Sequence, residues 1–254
     1  MRTIFIADAH LVAPSDHNYR LLLQFLHELK GEAAELFILG DLFDFWVGFP
    51  SNPFRQHDAL IEALLALKQS GCRLVYFEGN HDFHLGSVFS DQLAAEIHTG
   101  PAELSVQGRR LFLCHGDQIN RDDHGYRLLR LLLHNPITKL ALRMFPPSLA
   151  LTVKERLQRR SRAGYQAKTN RWDYRRIIRS YADSIRQQGC EGLVFGHFHL
   201  AFSEELPGSS FTILSLGDWM NHFTYGEMVD GQLLLKIYLS GCENDLPEKL
   251  KEQL

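Results

Sequence analysis

The chain has 254 residues, of which 45% are hydrophobic and 22% charged, and its formal net charge at pH 7 is −3. This is ordinary globular composition, long enough for one large α/β domain and unlike that of a disordered chain. The most apolar region, residues 128–153, is interrupted by Arg130, His134, Lys139 and Arg143, which excludes a membrane-spanning helix there.

Strand-like and helix-like segments alternate from the first residues onward. Short apolar runs predict strands at 3–7, 36–39, 74–77, 111–114, 193–195, 211–216 and 233–238. Apolar residues at helical spacing, each series ending near a glycine, predict helices at 18–30 and 58–68. The alternation predicts an α/β sheet with helices on its outside.

The region between 114 and 193 breaks this alternation. It has a helical pattern punctuated by Pro136, Pro146 and Pro147. We interpret it as a helical lid insertion, about 122–186, within a single domain of residues 1–254. Residues 154–186 carry 11 Lys+Arg and 3 Asp+Glu, so this stretch suits an anionic partner, although a solvated helix face would have the same composition.

Nothing before the first predicted strand has the charged and apolar regions of a signal peptide, so we expect none. The four cysteines stand far apart and form no C-x-x-C pair. We expect them to be reduced and buried in a cytoplasmic protein. They are Cys72, Cys114, Cys190 and Cys242.

Five of the predicted strands are followed by residues of the types that commonly bind metals in proteins. Because the carboxyl ends of strands in an α/β sheet form the usual ligand crevice, we expect the five segments to converge. Alternation along a strand would put Asp8 and His10 on one side, and likewise His197 and His199. Oxygen and imidazole ligands without thiolates fit manganese, iron or zinc better than calcium or magnesium. The segments contribute Asp8, His10, Asp41, Asn80, His81, Asp82, His115, Asp117, His197 and His199.

The order D-x-H, G-D, G-N-H-D, H-G and G-H-x-H, from residue 4 to residue 199, resembles the calcineurin-like metallophosphoesterases. The resemblance implies a two-sheet sandwich flanked by helices, and two divalent metal ions, with Mn²⁺ the expected metal. It assigns Asp8, His10, Asp41 and His199 to one ion. It assigns Asp41, Asn80, His115 and His197 to the other, so that Asp41 bridges the pair. Two such cations activate a water molecule and stabilise charge on phosphoryl oxygens.

His81 is the candidate catalytic residue. It is placed to protonate the leaving oxygen or to contact phosphate, and the alternative is a purely structural role beside the ligands. Asp82 and Asp117 are expected to orient ligands rather than bind metal.

The insertion, together with G-D-L-F-D-F-W at 40–46 and L-G-D-W at 216–219, resembles the UDP-2,3-diacylglucosamine hydrolase family. That resemblance implies a peripheral enzyme on the cytoplasmic face of the bacterial inner membrane, acting in lipid A synthesis. Its lipid-linked nucleotide substrate is cleaved at the pyrophosphate to UMP and 2,3-diacylglucosamine 1-phosphate (lipid X). An apolar helical surface beside a basic one would suit such an amphiphile. The implied substrate contacts are Asn80, His81, Asp123, Tyr126, Ser161, Tyr165, Lys168 and His197.

Two positions depart from that family's pattern. His81 stands where the family usually has arginine. An imidazole that can gain or lose a proton thus replaces a guanidinium group whose fixed N–H donors bind phosphate. Tyr165 stands where the family often has asparagine.

Three other functions are compatible with parts of the pattern. A related enzyme could act on another, soluble nucleotide pyrophosphate or phosphodiester. A scaffold that had lost its metals would show broken ligand positions, whereas all seven here are competent. Nucleic acid is not an expected partner, because the basic stretch lacks an interleaved base-stacking pattern of aromatic residues.

Overall fold

The computed structural model of the chain describes residues 2–49, 54–135, 137–138, 140 and 172–238. A 3₁₀ turn at Arg55–His57 precedes the second helix, and a π-helical turn at Val88–Gln92 follows the fifth strand. In chain order the remaining elements are β1 (Arg2–Ile6), α1 (His17–Glu28), β2 (Ala33–Ile38), β3 (Trp46–Val47), α2 (Asp58–Gln69), β4 (Arg73–Phe77), β5 (Asp82–Phe83), β6 (Glu96–His98), β7 (Ala102–Val106), β8 (Arg109–Cys114), α3 (His124–Leu133), α4 (Tyr174–Arg186), β9 (Gly192–Phe195), β10 (Ala201–Glu205), β11 (Thr212–Leu216), β12 (Thr224–Val229) and β13 (Gln232–Ile237).

In the described part of the chain, the longer strands form two mixed sheets. The first has six strands in the order β13-β12-β1-β2-β4-β6, and the second has five in the order β10-β11-β9-β8-β7. Strands β1, β2, β4 and β6 run parallel, and so do β8, β9 and β11. The parallel strands of each sheet therefore end at a common edge, where the chain must turn to enter a helix or loop.

The strand sequences explain the layering. Along β1, Phe5 joins the apolar core between the two sheets, while Ile4 and Ile6 join the core beneath α1 and α2. Phe5 stacks on Phe37 of β2 with ring centroids 5.0 Å apart. Burial on both faces makes these strands continuous apolar runs, the usual pattern of a parallel sheet covered on both sides.

Helix α4 covers the outer face of the second sheet. Its Ile178, Ala182 and Ile185 are buried and belong to a third core cluster with Phe195 and Ile213 of the sheet. The i, i+4, i+7 spacing of those three residues is the apolar stripe of a surface helix. The layers are thus helices, sheet, sheet and helix, which confirms the predicted two-sheet sandwich.

The predicted strands coincide with β1, β2, β4, β8, β9, β11 and β13 to within a few residues, and the two predicted helices coincide with α1 and α2. The prediction missed β3, β5, β6, β7, β10 and β12. The edge strand β7 alternates between partly buried and exposed residues before the buried Val106, so it lacks the long apolar run on which the prediction depended.

The predicted insertion is described only at its two ends, which contain α3 and α4. Its boundaries and its role as a lid stay predictions. No helix within the described ranges is long and apolar enough to cross a bilayer. Cys72, Cys114 and Cys190 are buried, as expected, and Cys242 lies outside the described residues.

Candidate metal centre

Loops from both sheets meet at one edge of the sandwich. After β1 and β2 the chain forms two adjacent loops, in which the Asp8 N–H donates to the Gly40 carbonyl at 3.1 Å and the His10 N–H to the Asp41 carbonyl at 3.0 Å. In the second sheet the Gly196 N–H donates to the His115 carbonyl at 2.8 Å. The two sheets are joined at this point, since the His197 N–H donates to Asp8 Oδ2 at 2.7 Å. The predicted convergence is therefore present in the structure.

The backbone is strained at the predicted ligands. Five of the seven have positive φ, a conformation that residues with a side chain rarely adopt, and strain of this kind concentrates at functional sites. The alternation argument for Asp8/His10 and His197/His199 was wrong, because β1 ends at Ile6 and β9 at Phe195. Left-handed turns, and not strand alternation, aim these side chains together. The strained ligands are Asp8 (φ 54°), His10 (φ 44°), Asp41 (φ 53°), His197 (φ 69°) and His199 (φ 53°).

The first group of possible ligands comprises Asp8, His10 and His199, whose ligand atoms all lie within 4.8 Å of one another. Asp8 Oδ1 is 3.8 Å from His10 Nε2 and 3.9 Å from His199 Nε2. Two atoms bound to one ion at about 2.1 Å can be at most about 4.2 Å apart, so a cation bound to Asp8 Oδ1 lies within reach of either imidazole. Asp8 Oδ1 and His10 Nε2 are buried and have no hydrogen-bond partner among the residues that the structure describes, as expected of atoms that bind a cation.

The second group surrounds His115 Nε2. The Nδ1 of His115 lies 2.8 Å from the Leu39 carbonyl, which can only accept, so Nδ1 carries a proton. The other ring nitrogen faces Asn80 Oδ1 at 3.1 Å and His197 Nδ1 at 3.2 Å. The second ring nitrogen therefore points at other possible ligands, an arrangement that needs either a proton or a cation between them.

Asp41 joins the two groups through a single atom. Its Oδ2 lies 3.7 Å from His10 Nε2 and 3.5 Å from His115 Nε2. Its Oδ1 accepts the His81 N–H at 2.8 Å, which fixes the carboxylate plane. A Cβ on Gly79 would lie 2.1 Å from that Oδ1, so only glycine allows the loop after β4 to approach. The residues present therefore fit two cations that share Asp41.

Charges within the site compensate for its burial. Although burial lowers the pKa of His10, the carboxylates of Asp8 and Asp41 outweigh it and raise that pKa to about 9. Burial and the neighbouring His115 lower the pKa of His197 to about 4. Burial disfavours ionisation of Asp41, but His115 and His81 hold its pKa well below the ordinary value. In the metal-free chain a proton on His10 therefore takes up negative charge that a cation would neutralise.

Asp82 and Asp117 contribute no atom to the two ligand groups just described. Asp82 Oδ1 accepts the N–H groups of Asp41 at 2.9 Å and Gly79 at 3.0 Å, so it ties the two loops together. Burial and the charge of Asp41 raise the pKa of Asp82 to about 7. Asp117 Oδ2 accepts from Tyr126 Oη at 2.7 Å and is paired with Arg130 Nε at 2.6 Å. These contacts favour the predicted orienting roles.

Asp218 belongs to the L-G-D-W motif, but the motif alone predicts no role for it. Its Oδ2 lies 3.5 Å from His199 Nδ1 and 2.8 Å from His222 Nδ1. Its Oδ1 accepts three backbone N–H groups from residues 220–222 at 2.7–3.2 Å. Although burial disfavours its charge, the contacts with His199 and His222 lower the pKa of Asp218. A buried carboxylate behind a histidine orients that ring towards a metal.

His81 lies beside the first group. Its ring centroid is 4.7 Å from that of His10, and its Nδ1 is 2.9 Å from the Asp44 carbonyl. Since the carbonyl only accepts, Nδ1 donates, and Nε2 is left for another partner. The ring therefore has one nitrogen committed to the protein and one available.

Apart from His81, the implied substrate contacts that the structure describes divide into two sets. Asn80 and His197 lie in the second ligand group, whereas Asp123 and Tyr126 belong to α3. Asp123 Oδ1 accepts the Tyr126 N–H at 3.0 Å and so caps α3. The Tyr126 ring lies 5.9 Å from that of His197, so α3 borders the centre. Ser161, Tyr165 and Lys168 lie outside the described residues.

Comparison with known proteins agrees with this geometry. The profile of the family described as calcineurin-like phosphoesterase matches residues 1–201. UDP-2,3-diacylglucosamine hydrolase of Photorhabdus laumondii is 30% identical over 240 residues, 91% of this chain and 96% of that protein. Proteins of the same name from Pseudomonas paraeruginosa (32% over 225 residues, 86% of this chain and 91% of that protein) and Aeromonas salmonicida (31% over 232 residues, 86% of each) are similar to it as well.

Proposed function

Because the chain belongs to the calcineurin-like phosphoesterase family, we propose that it hydrolyses the pyrophosphate of UDP-2,3-diacylglucosamine, giving UMP and 2,3-diacylglucosamine 1-phosphate. The position of Asp41 Oδ2, 3.7 Å from His10 Nε2 and 3.5 Å from His115 Nε2, is the observation that carries the chemistry. Similarity over most of the chain to proteins named for that substrate supports the substrate.

Each side chain of the centre has a proposed task. The first cation, expected to be Mn²⁺ like the second, is held by Asp8, His10, Asp41 and His199. The second is held by Asp41, Asn80, His115 and His197. When bound, the two ions would lower the pKa of a water molecule and stabilise the negative charge that develops on the phosphoryl oxygens.

The residues around the centre fix its shape. Asp82 holds the loops after β2 and β4 in contact through the Asp41 and Gly79 N–H groups. Asp218 holds the His199 ring, and the Leu39 carbonyl holds the His115 ring. Preorganisation of this kind lets charge stabilisation act without rearrangement during the reaction.

The proposed task of His81 follows from the leaving group. Cleavage of a pyrophosphate releases a phosphate, whose second pKa is near 6, so the leaving oxygen needs little protonation at neutral pH. We therefore assign His81 Nε2 to a phosphate oxygen of the substrate. In an alkyl phosphodiester the leaving oxygen is far more basic, and there the same nitrogen would act as the general acid.

His81 also favours one alternative substrate. With His81 in place of the arginine that the resemblance implies, the centre is equipped for a phosphodiester or another nucleotide pyrophosphate. A soluble substrate of that kind would be hydrolysed without detergent, whereas a diacylated substrate needs dispersal in detergent or membrane.

The peripheral membrane location is part of the same proposal. A diacylated substrate is embedded in a bilayer, so the enzyme must work at its surface. Flotation of the purified protein with vesicles, compared with and without the substrate, would measure that association directly.

The direct test is a product assay. The purified protein with Mn²⁺ is incubated with UDP-2,3-diacylglucosamine and, separately, with soluble nucleotide pyrophosphates and diesters. We expect UMP from the lipid-linked substrate. Hydrolysis of a simple diester without UMP release from the lipid-linked compound would refute the substrate and leave the phosphoesterase chemistry standing.

The variant for this assay is Asp41→Ala. Its control is Asp230→Asn, which removes an acidic side chain outside the centre. Asp230 is exposed, lies in the β12–β13 turn at φ 50°, and has no part in the centre. Wild-type turnover by Asp41→Ala would refute the assignment of the centre.

A further inference from the structure

Two buried polar atoms outside the proposed metal centre face each other where α3 ends. Glu78 Oε2 and His134 Nδ1 lie 3.4 Å apart, and their side chains are 3% and 10% exposed. Neither atom has a hydrogen-bond partner within the described residues. Burial without a partner is costly, so two such atoms at ion-pair distance are best explained by each other.

Glu78 closes the loop that carries Asn80 and His81. It directly follows β4, and its N–H donates to the His98 carbonyl at 2.8 Å. Its Oε1 accepts the Leu85 N–H at 3.4 Å. One side chain thus contacts both ends of the loop 78–85 and presents its remaining oxygen to His134.

The second residue of the pair, His134, lies at the end of α3. It directly follows α3, and its ring centroid lies 5.0 Å from that of Phe83. The preceding residue, Leu133, accepts a hydrogen bond on its carbonyl from His84 Nε2 at 3.1 Å. The end of α3 therefore rests on the loop 78–85 at three points.

Helix α3 has a second attachment along its length. Tyr126 in its first turn and Arg130 in its last turn both bind the Asp117 carboxylate, at 2.7 and 2.6 Å, in the segment that follows β8. The β8 loop thus holds one side of α3, and the β4 loop holds its C-terminal end. If the attachment to the β4 loop were lost, the C-terminal end of α3 could separate from the loop 78–85.

We propose that Glu78 and His134 are positioning residues, which fix the end of α3 to the loop 78–85 and so keep α3 in register with the metal centre. This rests on the proposed function, because the pair matters only for a substrate large enough to contact both α3 and the metals. A small diester bound at the metals alone does not depend on it.

The test uses Glu78→Gln, His134→Gln and the double variant in the whole chain loaded with Mn²⁺. His124→Gln and Glu62→Gln are matched controls, since both residues are exposed and His124 lies on the same helix as the attachment. Three quantities are measured for each variant. They are kcat/KM for UDP-2,3-diacylglucosamine, kcat for bis(p-nitrophenyl) phosphate, and hydrogen–deuterium exchange of α3.

We expect each single variant to lower kcat/KM for the lipid-linked substrate by about tenfold and the small-diester kcat by less than about twofold. The double variant should be no worse than the more damaged single one, because the two residues act as one contact. Exchange at the C-terminal turn of α3 should be faster in all three variants and unchanged in the controls.

Equal losses on both substrates would overturn the proposal, since the pair would then act on the metal loop alone. Additive losses, or unchanged exchange in α3, would overturn it as well. If the wild-type protein releases no UMP, the proposed substrate fails, while the exchange measurement still decides whether the pair holds α3. His134→Gln leaves the loop residues intact, so it carries the comparison if Glu78→Gln does not fold.

Discussion

The contact between Asp218 and His199 predicts a selective loss of one metal ion. In Asp218→Asn the side-chain oxygen can still accept the three backbone N–H groups that Oδ1 binds at 2.7–3.2 Å. The amide nitrogen that replaces Oδ2 cannot accept a proton from His199 Nδ1, and the negative charge behind the ring is gone. The local turn is therefore kept while the orientation of the ligand is lost.

The magnitude follows from the distances. Loss of a residue that orients a metal ligand typically weakens affinity by about 10–100-fold. The 3.5 Å separation from His199 is longer than a good hydrogen bond, and His222 at 2.8 Å takes the larger share of the same oxygen. We therefore expect the lower end, about tenfold, or about 1.4 kcal/mol of binding free energy.

Calorimetric titration of the metal-free protein with Mn²⁺ measures this. One of two sites, the one with Asp8, His10 and His199, should weaken in Asp218→Asn while the other keeps its affinity. His222→Phe removes the competing donor and should leave affinity unchanged or slightly tighter. Equal affinities in wild type and Asp218→Asn, or weakening at both sites, would refute the orienting role.

Three further predictions concern the same centre. Mn²⁺ affinity should rise by about tenfold per pH unit up to a pH of about 9, because His10 must lose its proton to bind metal. Because the pKa of His10 is raised, the metal-free chain loses the stabilisation from protonated His10 as the pH rises through 9. Melting curves recorded against pH check both effects of this pKa, and a flat profile contradicts the assignment. In Gly79→Ala the new Cβ would lie 2.1 Å from Asp41 Oδ1, so the variant should lose about 1–3 kcal/mol of stability and bind less metal. Melting curves and elemental analysis measure these losses, and a fully loaded variant of wild-type stability contradicts the prediction. His81→Ala should lower kcat on an alkyl phosphodiester by about 100-fold or more but on a p-nitrophenyl ester by less than tenfold, and equal losses in the two kinetic assays would argue for a structural role.

The sequence alone was sufficient for the core of the fold. β1, β2, β4, β8 and β9 are buried on both faces, so their sequences are short apolar runs that need no tertiary knowledge to recognise. Because parallel strands end at a common edge, the residues after them could be expected to converge, and Asp8, Asp41 and His115 do so.

The local geometry of the ligands could not be obtained this way. Strand alternation placed Asp8 and His10 on one side, but both lie beyond the strand in left-handed conformations at φ 54° and 44°. Nothing in a D-x-H pattern specifies such a conformation, because it is imposed by packing of the neighbouring loops, for example by the hydrogen bond from the His10 N–H to the Asp41 carbonyl.

Contacts between distant segments were also beyond the sequence. Asp218 meets His199 only because the turn between β11 and β12 folds back over the first sheet. Glu78 meets His134 only because α3 crosses the loop after β4. In each case an ordinary residue acquires its role from a partner that no local pattern indicates.

The central claim is a two-metal centre in which both ions share Asp41. Elemental analysis of the purified protein after saturation with Mn²⁺ and removal of excess metal tests it most directly, with Asp41→Ala and Asp230→Asn treated in parallel. Two ions per chain are expected in the wild type and in Asp230→Asn, and fewer than one in Asp41→Ala, because both groups lose a ligand together. A single ion in the wild type, or two retained by Asp41→Ala, would contradict the shared centre.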